Sequence, residues 1–449
     1  MQGFCNFADH KGSEQIINFP NFIFMRTKLL LFGLFLALVG NGIVINAQEN
    51  ELTDFFTVSG VVKDRNTRKS IDQVTVSAVG TNVGTITNED GEFTLKIGKS
   101  LNVKEIRLSR LGYFNSLVTI NPNDKEVKTI YLTPDSYVLS EVLVFSWRNP
   151  RDLVKAAIDK VEDNYAMKAN MLTGFYRETV QKRRRYITIS EAVIEVYKAA
   201  YNIPVERDQV KILKGRKLIS PKTSDTLSVK ILGGPNMPVY LDIVKNPDVL
   251  LHNDVLPYYA FKMDDAISID DRLQFVVHFE PQMITEYALY TGTLYIDRES
   301  LSFTRAEFKM DMRDKQKVTN AILKEKPAGL RFTPDEVSYI VTYKQQDDKT
   351  YLNYIRNCLS FKCDWKRRLF ATNYEVTSES VITDRNEQNI SRIPSRETFS
   401  VRQSLSQEVD LYEDENFWSN FNIIEPTESL ESAVNRLKKQ VIKTMNNEQ

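Results

Sequence analysis

The sequence predicts a mainly β protein in two parts: a small β-sandwich, then a larger antiparallel β-rich α+β domain with a helix at each end. Three observations predict it. Between Thr57 and Thr133 apolar residues alternate with polar ones in short runs separated by turn residues, with no helical period. After Met171 the alternation returns in longer runs. Beyond residue 148, two segments carry an apolar face at helical spacing, after Asn149-Pro150 and after Pro426-Thr427.

The first part reads as about seven short strands. Val58, Val61 and Val62 open the set, and Val74, Val76 and Ala78 alternate as a half-buried strand should. Gly80 to Phe93 packs glycines, β-branched residues and an Asp90-Gly91 turn into one stretch, so a strand, a sharp turn and a second strand are expected as a hairpin. Leu95 and Ile97, then Ile106 and Leu108, then Leu117, Val118 and Ile120 continue the pattern, and Val127 to Leu132 closes it. Ser59-Gly60-Val61-Val62, the Gly80-Thr81 and Gly84-Thr85 pairs, Thr87-Asn88-Glu89-Asp90-Gly91-Glu92-Phe93 and Leu108-Ser109-Arg110-Leu111-Gly112-Tyr113 carry a likeness. On these residues the segment resembles the carboxypeptidase regulatory-like domain, a transthyretin-like sandwich. It departs from the family at Ser70-Ile71, where Pro-Leu is usual, and at Thr87-Asn88, where Thr-Asp is usual. The resemblance implies a structural or docking module with no catalytic residues of its own.

Residues 134–148 read as a connector in which Val138, Val142, Val144 and Phe145 add an extended segment. Residues 149–449 form the second domain. Asn149 can cap and Pro150 suits a first helical position, with Val154, Ala157, Ile158, Val161 and Tyr165 on one face. Phe175-Tyr176-Arg177-Glu178 leads through Gln181-Lys182-Arg183-Arg184-Arg185 into Tyr186 to Tyr197, a long hairpin with a basic tip. A second hairpin turns at Asp297 to Ser300. Further strands are expected over Val337 to Tyr343, Tyr351 to Phe361 and Leu369 to Thr377. The last helix carries Leu430, Ala433, Val434, Leu437 and Val441 on one face, with an acidic start and with Lys438, Lys439 and Lys443 at a basic end. Gly174 to Glu178, Ser190-Glu191-Ala192, Gly292 to Asp297 and Tyr351 to Arg356 are similar to an exported Bacteroidetes-type family in which the same sandwich precedes this region. Larger relatives there continue into an outer-membrane barrel; polar Asn446 to Gln449 gives no sign of one. In architecture alone the domain also resembles periplasmic lipoprotein carriers, whose half-barrel shelters acyl chains.

The start of the chain reads as an export signal. Arg26 and Lys28 form a positive n-region, Leu29 to Leu38 is apolar, and Ala47 precedes a cleavage site. The apolar run is shorter than the roughly 20 residues of a membrane span. Residues 25–47 are therefore the expected signal peptide, residues 1–24 an over-extended start before Met25, and 48–56 a linker. The expected location is exported: periplasmic, outer-membrane-associated or at the cell surface. With 59 basic and 59 acidic residues there is no global positive field for nucleic acid. Past the signal, Cys358 and Cys363 remain, and on one strand they read as unpaired thiols.

Catalytic chemistry is sparse. Past the signal there are two histidines, His252 and His278, and neither neighbourhood supplies the ligand set of catalytic zinc. No Gly-x-Ser-x-Gly elbow and no Gly-rich phosphate loop occurs. Asp264-Asp265 and Asp270-Asp271 read as solvated loop acids. The candidate binding residues are Tyr176, Arg177 and Glu178, an Arg-Glu pair beside aromatic surface, and Arg183, Arg184 and Arg185, which can meet phosphate or lipid head groups. Against binding, the 175–178 run also reads as a strand with an inward Phe and an outward ion pair. The expected function is a non-enzymatic cell-envelope protein with no cofactor, whose sandwich docks or spaces and whose larger domain binds an envelope protein or an apolar ligand. The alternatives are a periplasmic lipid or lipoprotein carrier with an apolar half-barrel, and a carboxylate-dependent hydrolase.

Overall fold

The computed structural model describes residues 55–448 apart from 125, 136–146, 148, 232, 367–369, 401–402, 412–416 and 419. The expected over-extended start, the signal peptide, most of the linker and the extended segment at Val138 to Phe145 lie outside the described residues. Residues 54–449 make one compact unit.

Seven strands form the sandwich: β1 (Phe55–Asp64), β2 (Thr75–Ala78), β3 (Gly84–Ile86), β4 (Glu92–Gly98), β5 (Glu105–Ser109), β6 (Ser116–Thr119) and β7 (Lys128–Leu132). One sheet has the order β4-β1-β7 and the other β3-β2-β5-β6. Alternate residues of both, such as Val62, Val76, Leu95 and Ile106, meet in one apolar core. The hairpin expected in Gly80 to Phe93 is not one. Strand β3 pairs with β2 and β4 pairs with β1, so this stretch crosses between the sheets. The crossing is built from side chains. Asn88 Oδ1 accepts the amides of Asp90 and Glu92 at 3.0 and 2.8 Å, and Gly91 takes φ 78°. A Cβ at Gly91 would also sit 2.5 Å from the Val62 carbonyl oxygen, so the position requires glycine.

The second domain adds β8 (Asn170–Lys182), β9 (Arg185–Lys198), β10 (Gln209–Ile219), β11 (Lys230–Ile231), β12 (Tyr259–Ile269), β13 (Arg272–Pro281), β14 (Tyr290–Asp297), β15 (Phe303–Met310), β16 (Leu323–Glu325), β17 (Leu330–Gln346), β18 (Lys349–Trp365), β19 (Thr372–Asn386) and β20 (Asp410–Leu411). Eleven of them form one sheet, ordered β12-β13-β14-β15-β17-β18-β19-β8-β9-β10-β20. Every pairing in it is antiparallel except the short β10–β20 contact. Three tips are two-residue turns with both φ values positive: Arg183-Arg184, Asp270-Asp271 and Asp347-Asp348. Asp270 and Asp271 are thus the turn itself, which explains that acidic pair.

The two sheet faces have different covers. On one, Val337, Tyr339, Val341 and Tyr343 of β17 join a core closed by helix α1 (Pro150–Asp159), by residues 241–256 and by Val318 and Ile322 of a second helix (Lys315–Ile322). Asn149 caps α1 by accepting the Arg151 amide at 3.1 Å. This face is filled by the chain's own Leu153, Val154, Leu250 and Leu251. The sandwich and the C-terminal segment lie on the opposite face. There Phe175, Val193, Tyr354 and Val381 pack with Ile86 of the sandwich and with Trp418 and Ile424. Tyr354 therefore belongs to the interdomain layer rather than to the main sheet core, and Tyr351 is half-exposed under the Arg385 guanidinium. The terminal helix runs Glu428–Glu448, with Leu430, Ala433 and Leu437 buried against Ile189 and Leu218. It extends past Lys438, Lys439 and Lys443, so these lysines are not at its end.

Candidate functional site

On the face shared by the two domains, Trp418 and residues 420–427 form a strap between the sandwich and the sheet. Residues of the sandwich's most recognisable stretch bond outward. Thr85 Oγ1 donates to the Ile423 carbonyl at 2.8 Å, Asn82 Nδ2 to the Arg385 carbonyl at 2.7 Å, and Asn88 Nδ2 to the Pro426 carbonyl at 3.1 Å. Asp90 Oδ2 accepts the Glu428 amide at 2.8 Å and so caps the terminal helix from the other domain. Glu89 meets Arg356 at 2.7 Å. Asn422 exchanges two bonds with the Lys96 backbone at 2.7 and 3.0 Å, and Lys96 Nζ donates to the Trp418 carbonyl at 2.9 Å.

Arg177 stands under this strap, on the same side of β8 as Phe175. Its Nε meets Glu191 at 2.8 Å and its Nη2 donates to the Ile424 carbonyl at 2.8 Å. Glu191 also meets Arg216 at 2.7 Å, and the Arg216 guanidinium lies 4.7 Å from the Trp418 ring. Burial alone would push the Glu191 carboxyl up, yet Arg177 and Arg216 hold it below its ordinary value. The expected outward ion pair is thus corrected: Arg177 is buried, shares its face with Phe175 and pairs across to Glu191, because the sandwich and strap cover that face. Tyr176 and Glu178 point the other way. The Tyr176 hydroxyl donates to Glu178 at 2.9 Å, the Gly234 amide reaches both, and burial pushes the Glu178 carboxyl up. Arg183 and Arg184 are the exposed turn of the β8–β9 hairpin, and Arg185 pairs with Asp225 at 3.1 Å. The six candidates therefore split into three places.

Beside the strap a cleft of about 490 Å³ opens between the domains. Its sandwich wall carries Ser77, Arg107 and Arg110; its sheet wall carries Arg305, Thr342 and Lys344. Thr342 and Lys344 reach this side because β17 alternates, sending Tyr343 between them into the core. Lys344 Nζ donates to Ser77 Oγ at 2.8 Å, Arg305 Nη2 to Gln73 Oε1 at 3.1 Å, and Asn353 Nδ2 to Thr75 Oγ1 at 3.1 Å. Burial pushes the Lys344 ammonium down to about 8. Sequence reasoning missed this cleft, because Lys344 reads there only as the polar end of a strand and Ser77 as one step of an alternation.

Two other constellations were also hidden. Lys198 meets Asp208 at 3.2 Å and Asp242 at 2.7 Å, Lys245 stands 3.7 Å from Asp208, and Asp242 accepts the Tyr201 and Tyr343 hydroxyls at 3.0 and 2.7 Å. The only sequence signal was the setting of Asp242 and Lys245 in the apolar run Leu241 to Lys245. On the sandwich-side face, His278 bonds Thr293 Oγ1 at 2.8 Å through Nδ1 and Asp264 Oδ2 at 2.7 Å through Nε2. These three lie on adjacent strands of an open sheet surface. Among the described residues no three His, Cys, Asp or Glu side chains converge as metal ligands. Cys358 and Cys363 are both free.

Comparison with known proteins agrees on the first domain. Residues 58–144 match the family described as CarboxypepD_reg-like domain, so the sandwich is a carboxypeptidase regulatory-like domain. No curated protein sequence matches the chain significantly. Among solved structures the chain is similar to a domain described as an outer membrane lipoprotein-sorting protein from Vibrio parahaemolyticus. The identity is 10%, covering 54% of this chain and 95% of that one, with a TM-score of 0.24. A LolA superfamily protein from Nitrosomonas europaea follows at 11% identity, with 56% and 99% covered and a TM-score of 0.22. A DUF1329 family protein from Desulfovibrio piger stands at 10%, with 54% and 95% covered and a TM-score of 0.20. No helix among the described residues is long and apolar enough to cross a membrane.

Proposed function

We propose that the chain is a non-enzymatic binding protein of the cell envelope, in which the sandwich is a structural module that builds one wall of a ligand cleft and the large sheet builds the other. One observation carries this reading: the 490 Å³ cleft is walled by both domains and framed by direct bonds between them. Preorganised polar walls of this kind favour specific binding. The test is a thermal-shift screen of the purified chain against peptidoglycan fragments, anionic lipids and peptides, with mass spectrometry of each mixture. A saturable shift without new products, abolished by Val79→Trp at the cleft wall, supports the reading. Turnover of any of these compounds overturns it.

A second reading, a lipid or lipoprotein carrier, is favoured by the β13–β14 loop. Ile284 is 94% exposed there, beside Met283 and Tyr287 at 50% and 54%. Exposed apolar residues grouped at one tip suit contact with lipid. The apolar sheet face is filled by α1 and residues 241–256, so carriage would require that cover to lift. Native mass spectrometry after incubation with phospholipid tests it: retained lipid, lost in Ile284→Asp, favours the carrier.

A further inference from the structure

We propose that the interdomain cleft is an oxyanion site in which Lys344, seated on Ser77, and Arg107, the cross-strand neighbour of Ser77, grip a phosphate group on the ligand. The assignment rests on the reading of the cleft as a binding site and names its chemistry.

The cations of the cleft fall into two sets. Arg272 is saturated by Asp297 at 2.6 Å and Glu299 at 3.2 Å, and Arg305 by Glu307 and Gln73. Lys344 and Arg107 are different. Lys344 donates to the neutral Ser77 hydroxyl, and Arg107 is the cross-strand partner of Ser77 on β5. Cations from opposite walls thus line the cleft, one on Ser77 and one on its cross-strand neighbour, and neither forms an ion pair with any described residue. Arg110, on the same wall as Arg107, reaches Asp72 through one nitrogen at 3.3 Å while its buried Nε has no acceptor. Unused donors thus come from a lysine and two arginines.

Charge supports the same assignment. Burial lowers the Lys344 ammonium; Asp270 draws it back up, and Arg385 and Arg107 lower it further. The acids of the cleft, Asp270, Asp347 and Asp348, lie on the two turn tips β12–β13 and β17–β18. An oxyanion between Lys344 and Arg107 would relieve the repulsion between them and supply acceptors to idle donors. Phosphate suits the set, since guanidinium and ammonium donors approach it from several directions. The phosphate could belong to a soluble ester or to a lipid head group, and the experiment separates these.

Titration calorimetry of the full chain with inorganic phosphate should show saturable binding. Lys344→Gln and Arg107→Gln should each weaken it at least tenfold, and Lys168→Gln, on an exposed site elsewhere, should not. Pelleting with phosphatidylglycerol vesicles, lost in the same variants and kept in Lys168→Gln, assigns the phosphate to a head group. Phosphate binding without vesicle binding assigns it to a soluble ester. Absence of phosphate binding, or binding unchanged in Lys344→Gln, overturns the proposal. A neutral ligand blocked by Val79→Trp but indifferent to Lys344→Gln would overturn the oxyanion assignment and leave the cleft reading intact.

Discussion

Arg177 and Glu191 show how much one buried pair can hold. Each is nearly inaccessible, and between them they tie β8, β9, β10 and the strap. Removing one partner leaves the other charge buried and uncompensated, which typically costs about 3–5 kcal/mol. Glu191→Gln should therefore lower the urea midpoint sharply, and Arg177→Met with Glu191→Leu together should recover part of the loss. Lys245 makes a pH prediction. Burial pushes its ammonium down to about 8 from the ordinary 10.5, so over that window the unfolded chain binds the extra proton and stability rises with pH. Lys344, also near 8, acts in the same sense. The thiols of Cys358 and Cys363 are pushed up and oppose the rise once unfolded thiols ionise, above about pH 8.5. Unfolding free energy measured by urea titration should climb between pH 7.5 and 8.5, and Lys245→Gln should flatten the slope.

At the scale of elements, turns and close approaches set the strand register. The Arg183-Arg184 turn puts two arginines in the left-handed region at φ 50° and 63°, where Asn and Gly are at ease. Arg183→Asn with Arg184→Gly should stabilise the chain by about 1 kcal/mol, read as a raised melting temperature. If the tip holds an anionic partner, the same variant would lose that binding while gaining stability. Gly292 works through a neighbour. A Cβ there would run into the Glu307 carbonyl oxygen and approach Phe308 Cα to 2.7 Å, so β14 and β15 could not keep their spacing. Gly292→Ala should destabilise by about 1–3 kcal/mol, the usual cost of forcing extra bulk into a packed site, read as a lowered urea midpoint.

The whole molecule joins its two domains through one polar and aromatic layer. Trp418 packs on Phe175 at 5.5 Å between ring centroids and under Arg216, while Asn422 and Lys96 clamp the strap to the sandwich. Calorimetry should show one unfolding transition for the intact chain. Trp418→Ala, at a cost of about 3–5 kcal/mol, should split it into two as the sandwich releases. Ile86 and Tyr354, which pack with Trp418 in this layer, also line the cleft, so the same variant should weaken any ligand held there.

Local pattern determined a good deal of this protein. Alternation at Val74, Val76 and Ala78, the Asn149-Pro150 cap, the hairpin at Arg183-Arg184 and the glycine at Gly91 are all decided within a few residues by sterics, capping and burial. The sandwich family was legible for the same reason. Tertiary structure alone decided which strands pair, as β3 and β4 show by joining different sheets, and which polar residues meet. Arg177 is 202 residues from Glu379, and Ser77 is 267 from Lys344. The physical reason is range. Dihedral preference and hydrophobic period act over a few residues, whereas a cleft between domains exists only after distant strands have been brought to one face.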